Sequence, residues 1–500
     1  MSDAPVPNPE LDVSTHVGTY RGWSGPTASH WSAIEYAEPP RTVAEKFSPT
    51  RPSEPFTEVR ECLPHSGIGR HTLSVTAPAG PVDPQAHLPV IVFVHGGRFQ
   101  SGHANGPWYR GDAFAESGCI VVSVNYRYRF EGFLPLEGEP LPADYEANTT
   151  DPNAEPPYFR AVEDLITALR WIRDNISAFG GDPHNVTAMG QSAGGSLITY
   201  TLGSPRARDL VQRCVILSQG LPRVPWSART RMARRALRGP LTFEHVSTLS
   251  QEQVASGFSR YARRYLDDCA IGLFPHSPEN MPPIPMLIGT LRDEFVRMPL
   301  AERLDTAYRE GNPVTRAIAD RTIRLLSRSL GVPSVASKEE KKAWRSYCDS
   351  IEPPRPMGRA IGDAAIRKFD VATMEAHAPQ APTWVYEFHG GAGDVRARGT
   401  DAQHCADIPL AFNCLDVAPE SITRYCGPNA QQRLQPLADR FHQLIVDFAH
   451  GGEPDWPAFH PDTGRLTKQF DMSNCAEDLV EDAHGPVRRF FPETYSRKHV

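Results

Sequence analysis

A short apolar run followed by a glycine-flanked serine constrains this chain more than any other feature. Val186–Met189 is long enough for a buried strand, and Gly190–Gly194 then reads Gly-Gln-Ser-Ala-Gly. Glycines on both sides of a serine allow a sharp, strained reversal between a strand and a helix, which presents the serine hydroxyl. Residues Ser196–Tyr200 suit the helix that this turn requires. The pattern predicts that Ser192 is a nucleophile.

Strand-like and helix-like segments alternate around this turn. Apolar residues follow helical spacing at 159–176, where two glycines end the helix, and again at 437–448. Five continuous apolar runs are typical of strands covered on both faces: Leu88–Val94, Cys119–Asn125, Cys214–Ser218, Pro285–Thr290 and Thr383–Phe388. Strands that alternate with helices predict an α/β fold with a central, mostly parallel sheet flanked by helices.

The remaining segments predict the organisation around this sheet. Residues 1–60 are expected to form an irregular or weakly stranded approach, and residues 131–158 a long surface loop. Residues 221–282 are polar, dense in arginine and compatible with helices, so we expect a helical insertion over the active site. Residues 300–380 are also expected to be helical. Because no repeat or linker is found, we predict a single domain over residues 1–500, with a cap or insertion at 221–282.

Composition limits the class of partner. The 500 residues carry a formal net charge of −7, which argues against nucleic-acid binding and against a basic membrane-binding surface. The nine cysteines are dispersed without a Cys-x-x-Cys pair, as in proteins whose thiols stay reduced. The N-terminus lacks the pattern of a secretory signal, and no apolar window has the length of a membrane-spanning helix. We therefore expect a cytoplasmic protein that acts on a small molecule, without a nucleic-acid or membrane partner.

A serine hydroxyl is a weak nucleophile unless other groups assist it. It needs a base that takes its proton, a carboxylate that orients the base, and N–H donors for the developing oxyanion. His95–Gly97 follows a predicted strand and has the form of a loop that supplies such donors. Arg98 stands where a third glycine is usual. This arginine adds bulk and positive charge beside the site, and it requires a backbone conformation open to a non-glycine residue.

The acid and the base are expected after the serine, because α/β-hydrolases place these groups in the order Ser, acid, His. Asp293 and Glu294 follow a predicted strand, and position alone does not choose between them. His404 lies in a polar loop farther along the chain, and His389, at the end of a predicted strand, is its rival. Spacing leaves both choices open.

Several motifs together resemble the type-B carboxylesterase family, which includes the cholinesterases and the bacterial p-nitrobenzyl-type esterases. The likeness extends almost from end to end of the chain. The most specific segment is Asn175–Thr187, which leads into the Gly-Gln-Ser-Ala-Gly-Gly sequence. Four further segments resemble motifs of this family: Tyr36–Pro40, Asn125–Arg127 with Gly132–Leu134, Gly451–Pro454, and Trp456–Pro457.

The resemblance implies an α/β-hydrolase fold and a serine carboxylesterase that acts through an acyl-enzyme. It settles the choices that spacing left open, because the acid is the second carboxylate of the family's Asp-Glu-Gly pattern and the base belongs to a His-x-x-Asp-Ile-Pro segment. The implied catalytic residues are Ser192, Glu294 and His404, and the implied oxyanion donors are the amides of Gly97, Arg98 and Ala193. No metal or organic cofactor is expected, since these groups complete the chemistry.

Two other functions are compatible with the same residues. Hydrolysis of an amide or a carbamate would use the same groups. A non-catalytic binding module, as in the inactive cholinesterase-like proteins, is the second alternative, but such proteins typically lose a triad residue and this chain keeps all three.

The chain also departs from the family at the site. Gln191 replaces the usual glutamate before the serine, and Phe295 replaces the glycine after the acid. Ser218–Gly220 reorders a Gln-Ser-Gly run that supports the acid side. Arg98 and the arginines of the insertion predict either an exposed charged surface or a preference for substrates that carry a carboxylate, which arginine binds with two hydrogen bonds.

Overall fold

The computed structural model describes residues 5–64, 71–145, 158–223, 226–265, 269–273, 278–329, 337–390 and 402–491. The strands in these ranges form one sheet: β1 (Pro7–Ser14), β2 (Thr19–Ser24), β3 (Ala28–Glu35), β4 (Arg60–Glu61), β5 (Thr72–Pro78), β6 (Leu88–Val94), β7 (Ile120–Val124), β8 (Gly181–Gln191), β9 (Arg213–Leu217), β10 (Met286–Leu291), β11 (Thr383–His389), β12 (Thr467–Asp471) and β13 (Glu477–Val480).

The middle of the sheet is parallel and its margins are antiparallel. The strand order is β1-β2-β3-β5-β7-β6-β8-β9-β10-β11-β12-β13, with β4 beside β2. Every neighbouring pair from β7 to β12 is parallel. The strands from β1 to β5 along this order, and the edge strand β13, pair antiparallel. The prediction of a mostly parallel central sheet is confirmed.

The helices in the described ranges are α1 (Val43–Lys46), α2 (Asp112–Glu116), α3 (Arg129–Phe133), α4 (Arg160–Asn175), α5 (Ala193–Leu202), α6 (Trp226–Leu237), α7 (Phe243–Ser247), α8 (Gln251–Ala262), α9 (Pro299–Glu310), α10 (Pro313–Ser329), α11 (Lys338–Asp349), α12 (Pro356–Gly362), α13 (Lys368–His377), α14 (Asp407–Ala411), α15 (Pro419–Cys426), α16 (Ala430–Ala449) and α17 (Gly485–Phe490). Helices such as α4, α5 and α16 flank this sheet, and others pack on one another. A π-helical turn at Asp363–Arg367 joins α12 to α13. Short 3₁₀ helices occur at Pro107–Tyr109, Ile176–Phe179, Pro205–Ala207, Pro278–Asn280 and Pro461–Thr463.

The side chains of β6 show why its sequence is apolar throughout. Val90, Val92 and Val94 belong to one apolar core, which helices α4 and α5 help to form. Ile91 and Phe93 belong to a second core, to which α14 and α16 contribute. All five side chains are fully buried, and burying one such side chain stabilises a fold by about 1.5–3 kcal/mol. Because the strand has no exposed face, every position is apolar.

The N-terminal segment is more regular than the sequence predicts. Where an irregular or weakly stranded approach was expected over residues 1–60, β1, β2 and β3 form an antiparallel extension of the sheet. Only alternate residues of β1 are buried, among them Leu11 and Val13. Pro9 and the polar residues Glu10, Asp12 and Ser14 occupy its exposed positions, so the strand shows no continuous apolar run.

The predicted helical insertion at 221–282 contains α6, α7 and α8. Phe258 of α8 packs edge-on against Phe130 of α3, with ring centroids 5.2 Å apart, so the insertion contacts the segment that follows β7. Residues 224–225, 266–268 and 274–277 of this region lie outside the described residues, as do residues 146–157 of the predicted loop at 131–158. The role of residues 221–282 as a cap over the active site stays a prediction.

The predicted helices at 300–380 and 437–448 are present, the latter as the end of the longer α16. No helix in the described ranges combines the length and apolar character needed to cross a membrane.

Candidate active site

Ser192 occupies the turn between β8, which ends at Gln191, and α5, which begins at Ala193. Its backbone angles are φ 55° and ψ −122°, a conformation that residues with a side chain rarely adopt. The Ser192 N–H donates to the carbonyl of Leu217 in β9 at 2.9 Å, which attaches the turn to the neighbouring strand. The backbone therefore makes the sharp reversal that the sequence predicts.

Two glycines of the turn are required by close packing. A Cβ on Gly194 would lie 2.0 Å from the carbonyl oxygen of Val94, the last residue of β6. A Cβ on Gly190 would lie 2.7 Å from the backbone of Gly194. Both contacts involve backbone atoms, which cannot move away as a flexible side chain can. The glycines therefore allow the start of α5 to lie directly against the end of β6.

The imidazole of His404 connects Ser192 to Glu294. His404 Nε2 lies 3.0 Å from Ser192 Oγ, and His404 Nδ1 lies 2.5 Å from Glu294 Oε2. The second carboxylate oxygen, Oε1, accepts from the N–H of Leu291 at 3.0 Å. The Glu294 side chain is fully buried, so both of its oxygens have partners away from bulk water.

Backbone hydrogen bonds hold the acid turn and the histidine loop together. The Asp293 N–H donates to the Ala402 carbonyl at 3.0 Å, and the His404 N–H donates to the Glu294 carbonyl at 3.1 Å. We call this pair of bonds the backbone clamp. It directs the Glu294 side chain toward His404, whereas Asp293 faces Arg359, with 3.9 Å between Oδ1 and Nη1. The geometry thus distinguishes Glu294, which contacts His404, from Asp293, which faces Arg359; the spacing of the residues in the sequence left this choice open.

His389 does not share this arrangement. It lies at the end of β11, where its carbonyl accepts from the N–H of Met472. Among the described residues, the His389 ring makes no hydrogen bond to Ser192, Asp293 or Glu294. The structure brings His404, and not its rival, to the serine.

Several groups determine the protonation of His404. Burial lowers its pKa, but the charge and hydrogen bond of Glu294 outweigh burial and raise the pKa above the ordinary value of 6.5, with help from Asp407. The positive charge of Arg98 acts in the opposite direction. Burial and the nearby charge of Glu294 also raise the pKa of Asp407 to about 7, against the lowering effect of His404.

The loop after β6 curls beside the serine. Gly97, Arg98 and Phe99 have φ angles of 125°, 57° and 60°, so three successive residues are left-handed. Arg98 thus adopts the uncommon conformation that a non-glycine residue needs at this position. A Cβ on Gly96 would lie 3.0 Å from the Cβ of Ser192, which shows how closely the loop approaches the nucleophile.

The three amides predicted as oxyanion donors lie on elements that flank Ser192. Gly97 and Arg98 belong to the loop after β6, and Ala193 is the first residue of α5. The N–H of a first helical residue has no carbonyl partner within its own helix, so that of Ala193 can point to a ligand.

Two contacts of His404 were not predicted from the sequence. The ring of Phe295 packs on the imidazole, with centroids 5.1 Å apart and planes inclined by 42°. The side-chain Nε2 of Gln191 lies 3.4 Å from His404 Nε2. Both residues stand out in the sequence as departures from a family pattern, but their distance to the histidine could not be read from spacing.

The part of the chain that the structure describes contains no group of three or more His, Cys, Asp or Glu side chains arranged to hold a metal ion.

Known proteins of one family resemble this chain over most of its length. The model of the carboxylesterase family matches residues 72–239. The chain is 33% identical over 500 residues to a Rhodococcus erythropolis protein named "Probable N-octanoylanthranilate hydrolase AqdA2", covering 90% of this chain and 95% of that protein. It is 27% identical over 507 residues to the para-nitrobenzyl esterase of Bacillus subtilis, covering 90% of this chain and 93% of the esterase.

A solved structure shows the same fold. The carboxylesterase EST55 of Geobacillus stearothermophilus superposes with a TM-score of 0.73 at 24% identity. The match covers 96% of this chain and 99% of that protein.

Proposed function

The chain belongs to the type-B carboxylesterase family and is a serine ester hydrolase, and we propose from this premise that Ser192, His404 and Glu294 form its catalytic triad. The single observation that supports this proposal best is the continuous path of contacts from Ser192 Oγ through the His404 ring to Glu294, at 3.0 Å and 2.5 Å.

The proposed reaction has two halves. Ser192 Oγ attacks the ester carbonyl while His404 Nε2 takes its proton, and Glu294 stabilises the resulting imidazolium. The amides of Gly97, Arg98 and Ala193 donate to the oxyanion of the tetrahedral intermediate. His404 then gives its proton to the alcohol oxygen as the carbonyl carbon–oxygen bond breaks, which leaves an acyl group on Ser192. Water repeats these steps on the acyl-enzyme and restores the serine.

An organophosphonate probe distinguishes this function from a non-catalytic binding module. We expect one equivalent of the probe to label Ser192 and abolish ester turnover, since an activated serine attacks the phosphorus centre as it attacks a carbonyl. Mass spectrometry of the labelled peptide identifies the residue. A folded protein that neither reacts with the probe nor hydrolyses any member of a panel of esters would support the binding module.

Amide or carbamate hydrolysis is the second candidate function. It is favoured by the 33% identity to a relative whose name describes cleavage of an N-acyl bond. The proposed triad serves this reaction equally, because the leaving amine takes the proton of His404 in place of an alcohol. Comparison of one acyl group offered as an ester and as an anilide measures the preference.

We further propose that Arg98 favours substrates that carry a carboxylate. Arg98 is exposed, it follows a proposed oxyanion donor directly, and its positive charge acts on His404 against the larger, pKa-raising effect of Glu294. Anthranilate, part of the name of the same relative, is an aromatic carboxylate. A guanidinium binds such a group through paired, charge-assisted hydrogen bonds.

Arg98→Gly tests the role of this side chain. Because the residue has φ 57°, glycine fits its backbone without strain. We expect kcat/KM for an anionic ester to fall about 10-fold while that for a matched neutral ester changes little, as for the loss of one hydrogen bond to a charged group. Arg234→Gln, in the exposed surface of α6, is the control for general charge. Equal use of both esters by the unmodified protein would contradict the proposal.

A further inference from the structure

Gln191 reaches the nitrogen that exchanges a proton with the nucleophile. It is the last residue of β8, directly before Ser192, and its side chain is only 2% exposed. Its Nε2 lies 3.4 Å from His404 Nε2 and 3.5 Å from Cys405 Sγ. Its Oε1 lies against Gly96, where a Cβ would approach to 2.6 Å. The amide is therefore held between the oxyanion loop and the histidine loop with its N–H side toward the imidazole.

This orientation affects the two states of His404 differently. When Nε2 is unprotonated, its single lone pair can accept from Ser192 Oγ–H at 3.0 Å or, more weakly, from Gln191 Nε2–H at 3.4 Å. After Nε2 has taken the serine proton, two N–H groups face each other, and the amide offers no acceptor to the imidazolium. The contact therefore favours the neutral ring over the charged one.

Other charged groups around the imidazole come from three separate segments. Glu294, on the acid turn, and Asp407, in α14, favour the imidazolium, whereas Arg98, on the oxyanion loop, disfavours it. Cys405 contacts Gln191 on the same side and contributes a thiol that is neutral, because burial raises its pKa. Gln191 and Arg98 thus act together against the stabilising effect of the two carboxyl groups.

We propose that Gln191 is a positioning residue that directs the proton of His404 to the leaving group, and that it thereby favours substrates whose leaving group must be protonated to depart. Such substrates are anilides, alkyl amides and esters of unactivated alcohols, in contrast to nitrophenyl esters, whose leaving anion is stable. In the step concerned, the bond from the tetrahedral carbon to nitrogen or oxygen breaks, its electron pair stays on the leaving atom, and that atom takes the proton from His404 Nε2. The acyl ester of Ser192 remains. The inference rests on the proposed triad.

Gln191→Glu is the decisive variant, since it keeps the size of the side chain and places an acceptor beside the imidazole. An opposite charge within about 4–6 Å favours the charged form of a titrating group by one pKa unit or more. We expect the acid limb of kcat/KM against pH to move upward by about 1 unit. A less acidic imidazolium protonates the leaving group less readily. We therefore compare kcat/KM for an anilide with kcat/KM for a nitrophenyl ester of the same acyl group, both at the high-pH plateau. The anilide-to-ester ratio should fall about threefold for each unit by which the His404 pKa rises.

Gln191→Met provides a matched control without charge or a donor. We expect the upward shift of the acid limb and the fall in the anilide-to-ester ratio to occur in this variant too, but to be smaller. Thermal melting shows whether each variant is folded. An unmoved acid limb together with an equal loss on both substrates would indicate a merely structural role and overturn the inference. Ser192→Ala separates this outcome from failure of the triad itself: if that variant keeps its turnover, the proposed function fails whatever Gln191 does.

Discussion

Ser192→Ala is expected to lower kcat/KM for a nitrophenyl ester by about 10³-fold or more, because the acyl-enzyme cannot form without the Oγ atom. The fold should remain, since the substitution removes one hydroxyl whose hydrogen bond contributes about 1 kcal/mol. Steady-state kinetics gives the loss, and thermal melting shows that the protein is still folded.

Ser196→Ala is a matched control for this experiment. Ser196 lies in α5, which begins directly after Ser192, it is also buried, and its hydroxyl donates to the Gly220 carbonyl at 2.9 Å. We expect its turnover to stay within a few-fold of the unmodified protein. Near-normal turnover after loss of the Ser192 hydroxyl would show that another group is the nucleophile.

Glu294→Gln and Asp293→Asn form the second test with a large expected effect. The Glu294→Gln substitution keeps the size of the side chain but removes the negative charge that stabilises the His404 imidazolium, so we expect kcat/KM to fall about 100-fold or more. Asp293 faces Arg359 rather than the histidine, so Asp293→Asn should cost less than about fivefold, as for a weak ion pair away from the reaction.

The pH profile gives an independent measure of the same pair. Glu294 is the main group that raises the pKa of His404 above 6.5, and burial alone would lower it. Activity requires the neutral base, so it is lost as the pH falls through this pKa. Removing the Glu294 charge should therefore shift the acid limb to lower pH, whereas Asp293→Asn should leave it in place. The reverse order of the two variants would assign the acid role to Asp293.

The central sheet was predictable because its strands are covered on both faces. Continuous apolar runs such as Leu88–Val94 result from that environment, and they predict the parallel strands from local sequence alone. The antiparallel strands at the N-terminus were understated because their buried positions do not form continuous apolar runs: β1 alternates buried Leu11 and Val13 with exposed polar residues, and the buried run of β3 includes Ser29, His30 and Ser32. Local sequence therefore predicts a strand with a continuous apolar run more readily than a strand whose buried residues do not form such a run.

The turn that carries the proposed nucleophile was also predictable, since Gly190 and Gly194 are needed at fixed positions for local steric reasons. The choice between Asp293 and Glu294 was not, because it depends on the backbone clamp, which joins residues far apart in the chain. The spacing of residues along the sequence does not show which distant segments form hydrogen bonds with each other. The family pattern chose Glu294, and the geometry agrees with that choice.

The contacts of Gln191 and Phe295 with His404 could not be predicted, although the sequence singles out both residues. A comparison of motifs marks both residues as unusual, but it gives neither direction nor distance. Only the folded chain shows that both side chains meet the same imidazole.

The backbone clamp has a consequence for how this protein can change without losing its chemistry. Glu294 and His404 are 110 positions apart, yet hydrogen bonds join the two ends of the intervening segment directly. Helices α9 to α13 therefore lie in a segment whose two ends are fixed to each other. The length of this segment need not alter the distance between the acid and the base. Insertions, deletions or exchanges within α9 to α11 can therefore alter the outer helices, which pack in a separate apolar cluster, while the spacing of the reacting groups stays constant.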